Sequence, residues 1–81
     1  MIIVWDEPKR LENIAKHGFD FIDLAENFFD GADIALAKFG RYRAVGRFGP
    51  WTITVIFQRR GNEAISVISM RRASRKERNS E

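Results

Sequence analysis

The spacing of apolar residues divides the chain into a helical first part and a strand-rich second part. Residues 2–5 (IIVW) are a short β-prone run, and the following Asp6-Glu7-Pro8 is typical of a helix start, because proline is tolerated in a first turn. The next apolar residues recur at i, i+3 and i+4: Leu11, Ile14 and Ala15. This spacing predicts a helix with a buried apolar stripe, which Gly18 ends in a left-handed conformation.

A second helix is predicted after this glycine. Asp20 is a suitable N-cap, with Asp23 in the first turn, and Gly31 is the expected stop. Between them lie the residues expected to form the buried face: Phe21, Leu24, Ala25 and Phe28.

From residue 34 the apolar period shortens to two, which is typical of strands. The predicted strands are Ile34–Phe39, which is the weakest, followed by Arg41–Phe48, Trp51–Gln58 and Glu63–Met70. Gly49-Pro50 and Arg60-Gly61-Asn62 are turn signals, and both are too short to hold a crossover helix. The last three strands are therefore expected to form an antiparallel meander.

A short basic helix is predicted at the end of the chain, over residues 74–81, with Ser74 as its cap and Glu77 at the capping-box position. The predicted order is β-α-α-β-β-β-β-α. We therefore expect one α+β domain over residues 1–81, with a three- to four-stranded antiparallel meander sheet.

Composition excludes several kinds of chemistry. The 81 residues include no cysteine and one histidine, so a disulfide framework, a thiolate nucleophile and a Cys- or His-rich metal site are not expected. The longest apolar run is five residues (MIIVW), against roughly 20 needed to span a bilayer. The first residues do not resemble a signal peptide. A cytoplasmic protein without cofactor, metal or membrane partner is the expectation.

Charge is distributed unevenly. Residues 1–40 carry four cations against eight acids, and residues 41–81 carry ten cations, nine of them arginines, against three acids. Arginine is well suited to phosphate oxygens and to stacking on bases. The second half therefore indicates either a polyanion partner, most plausibly nucleic acid, or a solvated arginine-rich sheet balanced by acidic helices.

Strand alternation places several arginines on one face of the sheet: Arg41, Arg43 and Arg47. Arg71 and Arg72, at the end of the last strand, must point to opposite faces, so at most one of them joins this row. The cations of the last helix are either part of the same surface or a solvated tail: Arg75, Lys76 and Arg78.

His17 has two interpretations. It is the one side chain that titrates near neutrality, so it could be a general base, or it could interact with the dipole of the first helix at its C-terminus. The acidic residues of the first half are spread over two helices as caps and exposed groups, which does not favour a two-metal nuclease. Trp5 and Trp51 are expected to pack in the core rather than to stack on bases.

The motifs of the whole chain, in order, resemble the BrnT toxin family. Trp5-Asp6-Glu7 with Lys9, Asn13, Lys16-His17-Gly18 and Phe21 is similar to the family's W-D-x-x-K…N…K-H-G-x-x-F opening. Arg43-Ala44-Val45-Gly46 resembles one of its strands, and the run from Ile68 to Arg78 resembles its I-S-A-R-R-A-T-R-R-E-R ending. Met70 in place of alanine and the end of the chain at Glu81 are the departures.

This resemblance implies a RelE-like ribonuclease toxin of a bacterial type II toxin–antitoxin system. The implied partners are an RNA substrate and a BrnA-like antitoxin, a ribbon-helix-helix DNA-binding protein, with a homodimer of the toxin in their complex. RNA carries its own nucleophile, the 2′-hydroxyl, so the requirement is a base, a donor to the leaving oxygen and cations at phosphorus, with no metal. The alternatives are a non-catalytic nucleic-acid-binding module and a protein-interaction module.

The residues assigned on these grounds fall into four sets. The expected catalytic residues are His17, Lys16, Arg43, Arg71 and Arg72. The expected RNA-binding residues are Arg41 and Arg47. The expected antitoxin-binding residues are Arg75 and Arg78. Two further candidates for acid or base are Tyr42 and Glu63.

Overall fold

The structure is a computed structural model that describes residues 1–79; Ser80 and Glu81, which the sequence places in the last helix, lie outside the described residues. The elements, in order, are β1 (Ile2–Trp5), α1 (Glu7–His17), a 3-10 helix (Phe21–Asp23), α2 (Glu26–Asp30), β2 (Asp33–Leu36), a 3-10 turn (Lys38–Gly40), β3 (Tyr42–Phe48), β4 (Trp51–Arg60), β5 (Ala64–Arg72) and α3 (Arg75–Asn79). Among the helices of residues 1–79, none has the length and apolar character that a membrane crossing requires.

The strands form one five-stranded sheet in the order β1-β5-β4-β3-β2. From β2 to β5 the pairing is antiparallel, as predicted; Gly49-Pro50 joins Phe48 to its pair partner Trp51. β1 pairs in parallel with β5, with Ile2 opposite Ala64. The α+β class is confirmed, but the sheet is mixed and has one strand more than the predicted meander, because local periodicity carries no information on a pairing between the two ends of the chain.

β5 contains a bulge. The register of the β4–β5 ladder shifts once and leaves Ile68 as an extra residue. Side chains alternate along a strand, so this insertion lets Val67 and Met70 both face the core and turns Arg71 to the opposite face. Simple alternation without the bulge would have placed Arg71 on the core side.

The core lies on one face of the sheet. The segment between α1 and β2 contributes buried side chains to it: Phe21, Leu24 and Phe28. The strands contribute the rest: Ala44, Ile53, Val55, Phe57, Ile65, Val67 and Met70. A Cβ on Gly46 would come within 3.2 Å of Phe28 and 3.1 Å of the Ala32 Cβ, so this position needs a glycine.

The predicted second helix is interrupted. Asp20 caps a 3-10 turn by accepting a hydrogen bond from Ile22 N (3.0 Å), and Leu24 and Ala25 are then extended before α2 begins at Glu26. Three of the four apolar residues assigned to this helix are buried, as expected, but Ala25 is exposed.

α1 packs in the opposite way to that predicted. Its apolar stripe is exposed, with Leu11 55% and Ile14 36% accessible, whereas Asn13 is 6% accessible. The Asn13 carboxamide donates to Met70 O (2.8 Å) and accepts from Met70 N (3.1 Å). β1 ends opposite Val67, so this amide takes the place of a strand on the edge of β5.

Candidate active site

The side of the sheet away from the core, called here the arginine face, carries Arg43 on β3 and Arg71 on β5. Their β4 pairing partners are Ile56 and Thr54. Strand alternation and the bulge place both arginines on this face, with one strand between them. The face is also contacted by α3, whose Glu77 accepts a hydrogen bond from Thr54 on β4.

Glu77, on α3, is the main partner of Arg71. Arg71 Nη1 and Nη2 donate to the two carboxylate oxygens at 2.8 and 2.9 Å, and Thr54 Oγ1 donates at 2.9 Å. Glu77 also accepts from Ser74 N (2.8 Å), and Ser74 Oγ accepts from Glu77 N (3.2 Å), which confirms the predicted capping box. The Arg71 bond, followed by the Ser74 and Thr54 bonds, outweighs burial and lowers the pKa of Glu77 from 4.5 to about 2.

A depression of about 570 Å³, called here the cation pocket, opens beside this ion pair. Four cations line it: Lys38, Arg41, Arg43 and Arg71. Within residues 1–79, Glu77 is the single carboxylate that lines the pocket. Phe39 also lines it. Arg41 Nε is buried without a hydrogen-bond partner in the described part of the chain, so the pocket supplies fewer acceptors than its cations can use.

Two predicted site arginines lie elsewhere. Arg72 points to the other face of the sheet, where its guanidinium lies 4.4 Å from the ring centroid of Trp51. Trp51 is 40% exposed and therefore not a core residue as expected. Arg47 is exposed at the far end of β3, beside a different depression that also contains Asp23. Of the expected arginine row, the structure brings Arg41 and Arg43 together with Arg71.

His17 and Lys16 line a second depression, of about 310 Å³, at the open edge of β5. Ser69 lines this His17 pocket too, and its β4 pairing partner Ile56 lines the cation pocket, so the two pockets are neighbours on one face of the sheet. Burial lowers the pKa of His17 below 6.5, and the charges of Lys16 and Arg71 lower it further. This lowering favours the neutral imidazole, the state in which His17 can accept a proton.

The other candidates for acid or base lie away from both pockets. Tyr42 is on the core side, with its ring stacked on Phe57 at 5.6 Å between centroids. Glu63 lies in the β4–β5 turn, where it lines an apolar groove together with Tyr42 and Phe57, on the core side of the sheet. Arg75 and Arg78 are exposed on α3, outside the cation pocket lining.

Two carboxylates of the first half of the chain are paired with one arginine. Arg10 Nε and Nη2 donate to Glu7 at 2.7 and 3.1 Å, and Arg10 Nη1 donates to both oxygens of Asp20. Hydrogen bonds from Arg10 and Trp5 lower the pKa of Glu7, and a backbone bond from Ile22, followed by Arg10, lowers that of Asp20. Within residues 1–79, no three His, Cys, Asp or Glu side chains come together as a metal ion would require.

Sequence reasoning did not assign three residues that shape the site. The sequence predicts Glu77 as a cap, but its bond to Arg71 depends on the path of α3 over the sheet. The helical position of Asn13 gives no signal that its side chain bonds the backbone of a strand. The sequence predicts Phe39 in a strand, although the Gly40 that follows it is a turn residue that indicates otherwise.

These features define a small α+β protein with a basic, phosphate-suited pocket on one face of its sheet. Residues 5–77 match the family model described as ribonuclease toxin, BrnT, of type II toxin-antitoxin system. The chain therefore belongs to the BrnT family of ribonuclease toxins.

The similarity extends to a solved structure. The crystal structure of the Brucella abortus ribonuclease toxin, BrnT, is 54% identical in sequence, with a TM-score of 0.87 over 93% of this chain and 99% of that chain. None of the curated proteins compared matches the chain.

Proposed function

We propose that this chain cleaves RNA in the cytoplasm without a metal ion and that the reaction takes place where the cation pocket meets the His17 pocket. The observation that carries the proposal is the pocket's composition: four cations beside one carboxylate, which is itself bonded to Arg71. A bidentate carboxylate occupies one edge of a guanidinium, whose five N–H donors leave others for a phosphate. The pocket thus retains net positive charge.

RNA supplies the nucleophile in this reaction. The 2′-oxygen attacks the adjacent phosphorus and the bond from phosphorus to the 5′-oxygen breaks. The products are a 2′,3′-cyclic phosphate and a 5′-hydroxyl, so the steps left to the protein are proton transfer and charge stabilisation.

Four side chains are assigned to those steps. Neutral His17 accepts the proton of the 2′-hydroxyl, and the Lys16 ammonium donates to the leaving 5′-oxygen. Arg43, with Arg71, stabilises the charge that builds on the non-bridging oxygens, a kind of interaction whose removal typically costs 100- to 1,000-fold in rate. Arg41 binds a neighbouring phosphate. Arg47 and Arg72, which the structure separates from the pocket, have no part in this proposal.

The proposal includes the partner. A BrnA-like antitoxin of the ribbon-helix-helix DNA-binding class is expected to neutralise the toxin in a complex that contains two toxin copies. Arg75 and Arg78 are the residues assigned to its contact, because both are exposed cations on α3 and neither lines the cation pocket. Replacing both by alanine should weaken neutralisation and leave RNA cleavage intact.

The test is cleavage of a single-stranded RNA oligonucleotide by the purified protein in the presence of EDTA. We expect cleavage with a cyclic phosphate product, and no cleavage when the nucleotide before the cut carries 2′-deoxyribose. Arg43→Ala should lose at least about 100-fold in rate, and the matched control Arg47→Ala should stay close to wild type. Activity that appears only after a divalent metal is added, or equal losses in both variants, would contradict the proposal.

A further inference from the structure

Phe39 occupies a turn position that does not suit its side chain. In the turn between β2 and β3, Phe39 has φ 62° and ψ 36°, Gly40 has φ 71°, and Arg41 N donates to Lys38 O at 3.2 Å. Positive φ at both central residues is the pattern of a type I′ hairpin turn, which favours asparagine or glycine at the first position. A phenylalanine there is strained.

Burial does not compensate for this strain. The Phe39 side chain is 84% exposed, more than any other large apolar side chain in residues 1–79. Phe39 is also the one non-glycine residue with positive φ in that part of the chain. Neither the turn nor packing within the protein accounts for an aromatic residue at this position, and strained residues of this kind concentrate at functional sites.

The neighbours of Phe39 are cationic. It lines the cation pocket together with Lys38, Arg41, Arg43 and Arg71. The exposed Leu36 also lines the pocket, although its strand position, paired with Tyr42, belongs to the opposite face of the hairpin from Arg43. Proteins bind single-stranded nucleic acids with this combination of an exposed aromatic ring and nearby cations. The bases stack on the ring, and the cations bind the phosphate backbone.

We propose that Phe39 is the stacking platform for one base of the RNA, next to the neighbouring phosphate that Arg41 binds. The inference rests on the proposed function and adds a base subsite to it. RNA is favoured over an apolar protein segment because the ring stands among four cations, which complement a polyanion. Stacking is tolerant of base identity, so this subsite contributes affinity and position rather than sequence preference.

The experiment combines Phe39 variants with RNA oligonucleotides in which single positions near the mapped cut are abasic. For the wild type, one abasic position should lower kcat/KM by about tenfold, equivalent to about 1.4 kcal/mol. On intact RNA, Phe39→Asn should have a kcat/KM lower than that of the wild type by the same factor. The abasic position should cause no further reduction in kcat/KM for this variant. Phe39→Tyr should behave as wild type, because the ring remains.

Two controls keep the result interpretable. Asparagine adopts the left-handed conformation readily, so Phe39→Asn should melt at the wild-type temperature or above it, which excludes misfolding as the cause of a loss. Trp51→Leu removes an exposed aromatic ring on the other face of the sheet and should leave the abasic effect unchanged.

The outcomes separate this inference from the proposed function. If Phe39→Asn cleaves every RNA as well as the wild type does, the base subsite is wrong and the proposed function stands. If Phe39→Asn affects only neutralisation by the antitoxin, Phe39 belongs to a protein interface and the subsite is again wrong. If the wild type cleaves no RNA, the proposed function itself fails.

Discussion

The Asn13 side chain and the Met70 backbone form a pair of hydrogen bonds like those between two strands, at 2.8 and 3.1 Å, and Asn13 Nδ2 also donates to Phe19 O at 2.9 Å. One buried amide thus holds α1 against β5 at the point where β1 ends. This pairing also sets His17, one turn further along α1, beside the strand that carries Arg71.

Asn13→Ala should lower the free energy of unfolding by about 3 kcal/mol, because it leaves buried backbone groups of Met70 and Phe19 without partners. Urea unfolding monitored by tryptophan fluorescence measures this. The exposed Asn27→Ala on α2 is the control and should stay within about 0.5 kcal/mol of wild type.

Asn13→Asp tests the direction of these bonds. At neutral pH the carboxylate can accept from Met70 N but repels the two carbonyl oxygens, so the loss should be at least as large as in Asn13→Ala. Once protonated, the acid can donate one bond, and the difference from wild type should narrow towards pH 3. A difference that does not change with pH would contradict the assigned donors and acceptors.

The Arg71–Glu77 pair should make stability depend on acid pH. Because the pKa of Glu77 is about 2 in the folded protein and near 4.5 when unfolded, its contribution is complete above pH 4.5 and is lost as the pH falls towards 2. We expect Glu77→Gln to remove on the order of 2 kcal/mol of that pH dependence in denaturant titrations from pH 2 to 7.

The control for this variant is Glu63→Gln, which removes an exposed carboxylate from the β4–β5 turn. Its stability profile should run parallel to that of the wild type. Parallel profiles for both variants would mean that the ion pair contributes nothing to acid stability.

His17 should titrate below 6.5, because burial and the charges of Lys16 and Arg71 disfavour its protonated form. It is the one histidine in the chain, so its NMR titration is free of overlap. Arg71→Gln should raise its pKa. As the pH falls below 6.5, the unfolded chain binds a proton that the folded one does not, so this group lowers stability in that range.

The proposed role of His17 as a base has a separate kinetic test. His17→Ala should lower the rate of RNA cleavage by about 100-fold or more and remove the acid limb of the pH–rate profile. If His17→Ala keeps both the wild-type cleavage rate and the acid limb of the pH–rate profile, the role of His17 is to stabilise the C-terminal end of α1 and not to act as a base.

The salt dependence of RNA binding should report the number of phosphate contacts in the cation pocket. With Lys38, Arg41, Arg43 and Arg71 as four contacts, log K should fall against log salt with a slope of about −3. Arg43→Ala should reduce the slope by about 0.7. Arg72→Ala, on the other face, should leave it unchanged, and an equal reduction in both variants would refute the separation of the two arginines.

The sequence correctly predicted the structural features that depend only on neighbouring residues. Gly18 ends α1 in the left-handed conformation, Gly49-Pro50 makes a hairpin turn, and Ser74 with Glu77 caps α3, because each depends on residues a few positions apart. The opposite directions of Arg71 and Arg72 were predicted for the same reason.

Features that depend on distant parts of the chain were not predictable. The apolar stripe that includes Leu11 predicts a buried helix face. In the structure, α1 instead packs on backbone groups at the edge of β5, and Asn13 can form hydrogen bonds with them, which an apolar side chain cannot. The bulge at Ile68 decides which of the two arginines joins the arginine face, and no local pattern marks it. The residues that line the cation pocket come from the β2–β3 turn, β3, β5 and α3. Which residues line it therefore depends on the three-dimensional fold and not on any local sequence pattern.

The position of β5 within the sheet determines when the sheet can form during synthesis of the chain. β5 lies between β1 and β4 but is the last strand in the chain. Chains are made from the N-terminus, so β1 waits without a partner until residues 64–67 have been added, and such long-range pairing is slow to form. Arg71 and Glu77 are added later still. A chain still under synthesis therefore cannot assemble the cation pocket until β5 and α3 have both been added.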